Sequence, residues 1–292
     1  MAERIIVIGS DSRIGAAVLT CCLRAAADVI GTTRRSEFGR IKLDLSDSGS
    51  FARAISLRCT QALICAAISG DEAIDRTASA REINVTGTIE LMRQLVAAGT
   101  HVWFISTNMV FDGSAAAPTH DELPSPKTTY GAWKAEVEAF IRRECPGRGS
   151  VVRLTKVLPP EWPLGHHTLD SVRAHSGVEA FHDWRFSPIL LSDVATALAR
   201  LLTERPRRTP PVFHLSALDT ISYADGVAYL AGLAGGHTHQ VRPTSIVSRR
   251  TVAWNPRYTA LACEWESAHL GWPRRTSLET LRQWYEQERH AV

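Results

Sequence analysis

The sequence predicts an α/β fold in which a doubly wound parallel sheet carries a smaller C-terminal lobe. Short apolar segments rich in β-branched residues alternate with amphipathic helical segments, and the first of these strands runs into a glycine-containing turn. This alternation fades after about residue 155. We therefore expect residues 1–155 to form the sheet domain and residues 156–292 to form the lobe, with the chain returning to the sheet near residues 186–215.

The composition is that of an ordinary globular protein. Hydrophobic residues make up 45% and charged residues 22% of the 292 residues, and the net charge is +3. This small charge, without blocks of like sign, gives no support for binding a nucleic acid polymer or a membrane surface. The six cysteines lack Cys-x-x-Cys spacing, and neither a leader nor an apolar run of membrane-spanning length is evident. We expect reduced thiols and a cytoplasmic protein.

Residues 4–8 read as a buried parallel strand that leads into a glycine turn and a helix. The turn fits the spacing Gly-x-x-Gly-x-x-Gly, with Ser12 at the middle glycine. Strand, turn and helix in this order place backbone N–H groups where a pyrophosphate binds, although a plain strand-to-helix turn has the same spacing. The predicted dinucleotide contacts here are Gly9, Ser12, Arg13, Ile14 and Gly15.

The end of the second predicted strand, residues 29–33, bears on the choice of cofactor. A free ribose 2′-hydroxyl usually meets an acidic residue about there, but this chain has Thr33, Arg34 and Arg35. Two guanidinium groups match the oxygens of a 2′-phosphate. The pattern favours NADP(H) over NAD; alternatively, the arginines only cover a solvated loop.

The next two strands are predicted at residues 41–45 and 62–67. Asp44 would accept from the adenine amino group, and the small residues that end the second of these strands would let a cofactor approach the backbone. A long helix is predicted over residues 71–98. The expected cofactor contacts in this part of the chain are Asp44, Leu45, Ala66 and Ala67.

A fifth strand at residues 101–106 delivers Ser106 and Thr107 to the carboxyl edge of the sheet, where ligands bind in open α/β sheets. After a loop at residues 111–126, Tyr130 and Lys134 stand one turn apart on one face of a helix. The lysine cation would stabilise the phenolate and ease its formation, which makes Tyr130 a candidate general acid. Alternatively, this is a tyrosine at a helix start beside a surface lysine.

Trp133, Val137, Phe140 and Ile141 recur at helical spacing and should bury one side of the same helix. Further along, the histidines between residues 162 and 184 show no metal-ligand spacing, so we predict no metal site and assign this segment to a substrate-facing lobe. The remaining predicted elements are strands at 150–154 and 211–215 and helices at 192–202, 223–233 and 278–288.

These motifs together resemble the extended short-chain dehydrogenase/reductase superfamily, and within it the dTDP-4-dehydrorhamnose reductase-like family. The segment 104–113 is similar to that family's Ser-Thr-Asp-Tyr-Val-Phe-Asp-Gly motif, and segments 84–88, 130–136 and 186–195 support it in order. The resemblance implies an NADP-binding Rossmann domain with catalytic Thr107, Tyr130 and Lys134. It further implies that Asn84, Tyr130 and Lys134 contact the cofactor and that Thr107, Asn108 and Met109 contact the substrate.

The implied activity is NADPH-dependent reduction of a carbonyl on a nucleotide-linked keto sugar. Ser12 replaces a glycine of the family, and Asn108 and Met109 replace an acidic residue and a tyrosine, so the sugar, the nucleotide and the stereochemistry stay open. A nucleotide-sugar epimerase or dehydratase is an alternative, as is a non-catalytic NADP-binding regulatory subunit such as that of methionine adenosyltransferase. A non-sugar ketone substrate is another alternative, and a homodimer is the default assembly.

Overall fold

The computed structural model describes residues 3–35, 39–69, 74, 76–204, 210–237, 240–249 and 252–291. Its strands in chain order are β1 Arg4–Ile8, β2 Asp28–Thr33, β3 Ile41–Lys42, β4 Gln61–Ile64, β5 His101–Thr107, β6 Gly149–Leu154, β7 Lys156–Leu158, β8 Val178–Phe181, β9 Arg185–Phe186, β10 Pro188–Leu190, β11 Val212–Leu215, β12 Ile221–Ser222 and β13 Val241–Thr244. Its α-helices are α1 Arg13–Arg24, α2 Ala52–Ser56, α3 Gly87–Ala97, α4 Thr129–Glu144, α5 Pro163–Arg173, α6 Leu191–Glu204, α7 Tyr223–Leu233, α8 Glu264–Leu270 and α9 Ser277–Ala291.

Seven strands form one parallel sheet in the order β11-β6-β5-β4-β1-β2-β3. The order reverses between β1 and β4, which is the switch point of a doubly wound Rossmann sheet, and ligands bind at the carboxyl ends of the strands there. The predicted fold class is confirmed. The chain leaves the sheet after β6 and returns to it at β11.

Both faces of the sheet are covered by helices, because its strands are apolar on both sides. Helices α1 and α6 pack together on one face over a core that includes Val18, Leu198 and Phe213. Helices α3 and α4 cover the other face, where Leu91 and Val137 are buried. Trp133, expected in this core, is only half-buried, whereas Val137, Phe140 and Ile141 are buried as predicted.

Two strands end three residues earlier than predicted. β4 ends at Ile64 because the N–H groups of Cys65 and Ala66 both donate to the carbonyl of Ile8, at 2.9 and 3.1 Å, so the ladder cannot continue. β3 ends at Lys42, after which Asp44 accepts from the N–H of Ser46 at 2.9 Å and turns the chain. Of the helix predicted at residues 71–98, residues 71–73 and 75 lie outside the described residues, and the rest includes a π-helix Glu82–Thr86 before α3.

The C-terminal lobe is built on short strand pairs, β8 with β13 and β9 with β12, covered by α5, α7 and α9. Its core contains two tryptophans, Trp162 and Trp284, whose rings meet edge to face at 5.5 Å. Trp284 donates to the carbonyl of Pro159 at 3.0 Å, which ties the last helix to the loop that leaves β7. This bond joins the last helix of the lobe to the loop with which the lobe begins.

All six cysteines, each within the described ranges, are free thiols; Cys21 and Cys65 are partly exposed and the other four are buried. Across the described ranges no helix is both long and apolar enough to cross a membrane. In the same residues, no three His, Cys, Asp or Glu side chains come together in a way that could hold a metal ion.

Candidate active site

The turn between β1 and α1 has a shape that only glycine allows at two positions. Gly9 has a φ of +79°, and a Cβ there would lie 2.7 Å from Ala66. A Cβ on Gly15 would lie 2.3 Å from the carbonyl oxygen of Gly9. The turn therefore packs closely against the end of β4 and brings the start of α1 near it.

Ser12, which stands where the family motif has a glycine, is the N-cap of α1. Its φ of −73° is ordinary for any residue, and its Oγ accepts from the N–H of Gly15 at 3.1 Å. The serine is accommodated without strain. It also satisfies one N–H at the helix start that a bound anion would otherwise meet.

A cavity of about 220 Å³ opens between this turn, the end of β2 and the end of β4. Seven of the predicted cofactor residues line it: Gly9, Ser12, Thr33, Arg34, Leu45, Ala66 and Ala67. Five residues that the sequence reasoning missed also line it: Ile8, Asp11, Leu43, Ile68 and Ile83. Apart from Asp11 these residues are apolar, and each of the four is next to a predicted position in the sequence. An adenosine needs an apolar surface for its flat base and polar groups for its ribose, and this lining contains both.

Three predicted cofactor residues make other contacts. The guanidinium of Arg13 pairs with Glu161 of the C-terminal lobe at 3.1 Å. Asp44 does not line the cavity; its carboxylate binds Ser46, and although burial acts the other way, these hydrogen bonds together with Arg34 and Lys42 lower its pKa. Arg35 is exposed outside the cavity lining, and its N–H donates to the hydroxyl of Thr33 at 3.2 Å.

Asn84 acts on the cavity through the backbone. Its side-chain amide is buried, accepts from the N–H of Ile68 and donates to the carbonyl of Ile68, both at 2.8 Å. This pair of bonds fixes the chain after β4 where it lines the cavity. Asn84 thereby holds the wall in place with both polar atoms of its side chain.

At the carboxyl end of β5, Thr107 caps a short 3₁₀ helix, Asn108–Val110, by accepting from the N–H of Met109 at 3.2 Å. The start of α4 is pressed onto this turn, because a Cβ on Gly131 would lie 2.2 Å from the carbonyl oxygen of Met109. Thr128 caps α4 by accepting from the N–H of Gly131 at 3.0 Å. These contacts set Tyr130, the second residue of the helix, beside the end of β5.

Lys134 is buried under the same edge. Its Nζ donates to the carbonyl of Ile105 at 2.8 Å and lies 4.4 Å from the ring centroid of Phe104 and 5.6 Å from that of Tyr130. Burial lowers the pKa of Lys134 to about 8, against the opposing effects of Cys65 and Glu138. The carbonyl and the two rings hold the ammonium group in one position.

The expectation that Lys134 lowers the pKa of Tyr130 is not met in this arrangement. Burial raises the pKa of Tyr130 to about 12. The ammonium, which donates to the carbonyl of Ile105, lies 5.6 Å from the Tyr130 ring centroid, and the effect of burial on the phenol prevails. Tyr130 therefore keeps its proton throughout the neutral range.

A buried ionic network supports the strand that carries Thr107. Ser106 donates to Glu138 at 2.5 Å, and Glu138 receives the guanidinium of Arg153 at 2.7 Å; the side chains of both ionic partners are at most 1% exposed. The guanidinium of Arg153 also lies 3.3 Å from Nε2 of His214. Burial lowers the pKa of His214 well below its usual value. The sequence reasoning missed this network, because its four residues come from four separate elements.

Asn108 links the loop after β5 to the segment before α8. Its Nδ2 donates to the carbonyl of Thr259 at 2.9 Å, a bond that an ionised aspartate could not make. The family's acidic residue is thus replaced by a donor that this carbonyl requires. Asn108 also lines a cavity of about 150 Å³ between the loop after β5 and residues 258–261, whereas Thr107 and Met109 do not line it.

Comparisons with known proteins identify the family of this chain. The family described as the RmlD substrate binding domain matches residues 3–289. The dTDP-4-dehydrorhamnose reductase of Streptomyces griseus is 26% identical over 288 residues, covering 96% of this chain and 90% of that protein. Methionine adenosyltransferase 2 subunit beta of Danio rerio is 29% identical over 272 residues, covering 89% and 83%.

Among solved structures, the dTDP-4-dehydrorhamnose reductase of Bacillus anthracis in complex with NADP superposes with a TM-score of 0.83 at 19% identity, covering 98% of this chain and all of that one. At this identity the superposition shows a common fold. The family match extends over almost the whole described chain, the lobe included. The chain therefore belongs to the RmlD substrate-binding-domain family, within the short-chain dehydrogenase/reductase type of oxidoreductase.

Proposed function

We propose that the protein is an NADPH-dependent reductase that acts on a carbonyl of a nucleotide-linked keto sugar. The observation that carries this proposal is the fixed Lys134 ammonium, 5.6 Å from the Tyr130 ring centroid at the carboxyl edge of a Rossmann sheet that has a cavity of about 220 Å³ at its switch point. Residues 1–155 would bind the cofactor, and residues 156–292 would bind most of the sugar nucleotide.

The cavity at the switch point fits the adenosine part of such a cofactor. A side chain at position 9 would collide with Ala66, so glycine is needed there and leaves the backbone of the turn accessible to the cofactor. Arg34 lines the cavity at the end of β2, where it would bind a 2′-phosphate. A bound NADPH supplies the hydride for the substrate carbonyl carbon.

The side chains at the edge would handle the proton. Tyr130, held protonated by its raised pKa, would donate to the carbonyl oxygen as negative charge develops there. The Thr107 hydroxyl would hydrogen-bond the same oxygen and orient it. One N–H of the Lys134 ammonium is taken by Ile105, so two remain to stabilise the tyrosinate and to bind the nicotinamide ribose.

The alternative of a nucleotide-sugar dehydratase loses support from Asn108. An amide engaged with the carbonyl of Thr259 cannot serve as an acid beside Thr107. The alternative of a regulatory subunit is favoured by the similarity to the methionine adenosyltransferase beta subunit. Turnover decides between it and a reductase.

The test is a fluorescence titration of the purified protein with NADPH, followed by a panel of nucleotide 4-keto sugars while the absorbance of the reduced cofactor is recorded. Consumption of NADPH with one keto sugar would support the proposal and name the substrate. Binding without consumption on any keto sugar would contradict it and favour the regulatory alternative or an unrelated ketone.

A further inference from the structure

Asp11 brings a carboxylate to the end of β2 from a different part of the chain. It lies in the turn between β1 and α1, is exposed, and lines the same cavity as Thr33 and Arg34. Its Oδ2 accepts from the hydroxyl of Thr33 at 3.0 Å, and Thr33 is buried. The bond fixes the carboxylate beside the last residue of β2.

That position has a defined meaning in a Rossmann sheet. The end of β2 is where an acidic residue receives the ribose 2′-hydroxyl of NAD, or where an arginine accommodates the 2′-phosphate of NADP. Here the strand itself ends in Thr33 followed by Arg34. The structure supplies both chemistries at one place, a guanidinium from the strand end and a carboxylate from the neighbouring turn.

We propose that Asp11 is a specificity-determining residue that binds the adenosine ribose hydroxyls of NADH and opposes the 2′-phosphate of NADPH. The inference rests on the proposed nicotinamide cofactor and deepens it: the protein binds both cofactors, and the balance between Asp11 and Arg34 sets their ratio. A carboxylate accepting from a hydroxyl gains a charge-assisted hydrogen bond, whereas next to a phosphate it meets a like charge.

The experiment compares the wild type with Asp11→Asn in titrations with NADH and NADPH. Asparagine keeps the shape and an oxygen for Thr33 but removes the charge. Any effect of Asp11 on the pyrophosphate is common to both cofactors and cancels in the ratio of their dissociation constants. Asp121→Asn, an exposed carboxylate in the loop after β5 that is outside the cavity, serves as the matched control.

We expect Asp11→Asn to shift the ratio at least ~10-fold toward NADPH, the scale of one hydrogen bond to a charged group. Competition by 5′-AMP and adenosine 2′,5′-bisphosphate should shift in the same direction, since these fragments differ only at the 2′ position. The Asp121→Asn ratio should equal that of the wild type.

A ratio that changes less than twofold in Asp11→Asn while both cofactors still bind would overturn this inference and leave the reductase proposal intact. Conversely, a shifted ratio in a protein that reduces no keto sugar would overturn the reductase proposal alone. Failure of the wild type to bind either cofactor would overturn both.

Discussion

The two ends of the site are built differently. At the proposed catalytic edge, which carries Thr107, Tyr130 and Lys134, the polar groups are buried and bonded to the protein: Lys134 to the carbonyl of Ile105, and Ser106 to Glu138. At the proposed adenosine end, Asp11 and Arg34 are exposed on a turn and at a strand end, with one side-chain bond from Thr33 to Asp11.

Because of this difference, substitutions at the two ends should have different effects on stability and on ligand affinity. A buried polar group that loses its partner costs free energy of unfolding, so substitutions at the catalytic edge should change stability as well as chemistry. Exposed charges on a turn contribute little to folding, so substitutions there should change ligand affinity and leave stability almost untouched. Tyr130 is the exception at the catalytic edge: its hydroxyl is proposed to contact the substrate, so removing it should change activity and leave stability unchanged.

Tyr130→Phe should produce the largest change in activity. Removing the proton donor is expected to lower turnover on the order of 100-fold or more, the usual contribution of general acid catalysis. NADPH binding and the unfolding midpoint should stay near the wild-type values, since the ring is retained. Stopped-flow reduction and a cofactor titration on the same preparation measure both; wild-type turnover in the variant would exclude Tyr130 as the donor.

Glu138→Gln should give the largest loss of stability. The substitution leaves the fully buried Arg153 without its counter-charge, and breaking a buried pair costs about 3–5 kcal/mol. Glu136→Gln, two residues along the same helix, is the matched control, because its pair with Arg81 is half-exposed and worth about 0–1 kcal/mol. Urea unfolding measures both, and equal losses in the two variants would refute the distinction.

Lys134 should give stability a dependence on pH. The folded chain releases the lysine proton near pH 8, whereas an unfolded lysine keeps it to about pH 10.4. Between these values the unfolded state binds more protons, so the free energy of unfolding rises with pH. Relative to Lys134→Met, in which other titrating groups are the same, the wild type should gain about 2 kcal/mol between pH 7.5 and 10.

Urea unfolding of both proteins at the two pH values measures this gain. The difference between wild type and variant removes the contributions of tyrosines and cysteines, whose raised pKa values act in the opposite direction. A difference that does not change with pH would mean that Lys134 is not desolvated in the folded protein.

The fold was predictable because it depends on local patterns. β1 and α7 have the predicted bounds, since each is an apolar segment between clear end signals. The end of β4 was missed, because it depends on two N–H groups that share the carbonyl of Ile8 on another strand. Boundaries set by partners distant in sequence leave no local pattern.

The site was predictable only in part, for the same reason. Arg34 and Ala66 follow from their places at strand ends, and both line the cavity. The raised pKa of Tyr130 depends on how the folded chain removes water from its hydroxyl, and the position of Asp11 beside Thr33 depends on the close packing of two segments 22 residues apart. Chemical type can be read from the sequence, but the environment that tunes it is a property of the packed structure.

The two adjacent arginines give the smallest and most selective effect. Arg34 lines the cavity and Arg35 does not, so Arg34→Ala should weaken NADPH binding about 10-fold, the scale of one charge-assisted contact, while Arg35→Ala should change it less. Neither should alter NADH binding or the unfolding midpoint, because both side chains are exposed. Titrations at low and high salt sharpen the test, since screening should reduce the Arg34 contribution. Equal losses in the two variants would mean that the 2′-phosphate is held by a general positive field at the end of β2, and the comparison with the catalytic edge would then rest on Asp11 alone.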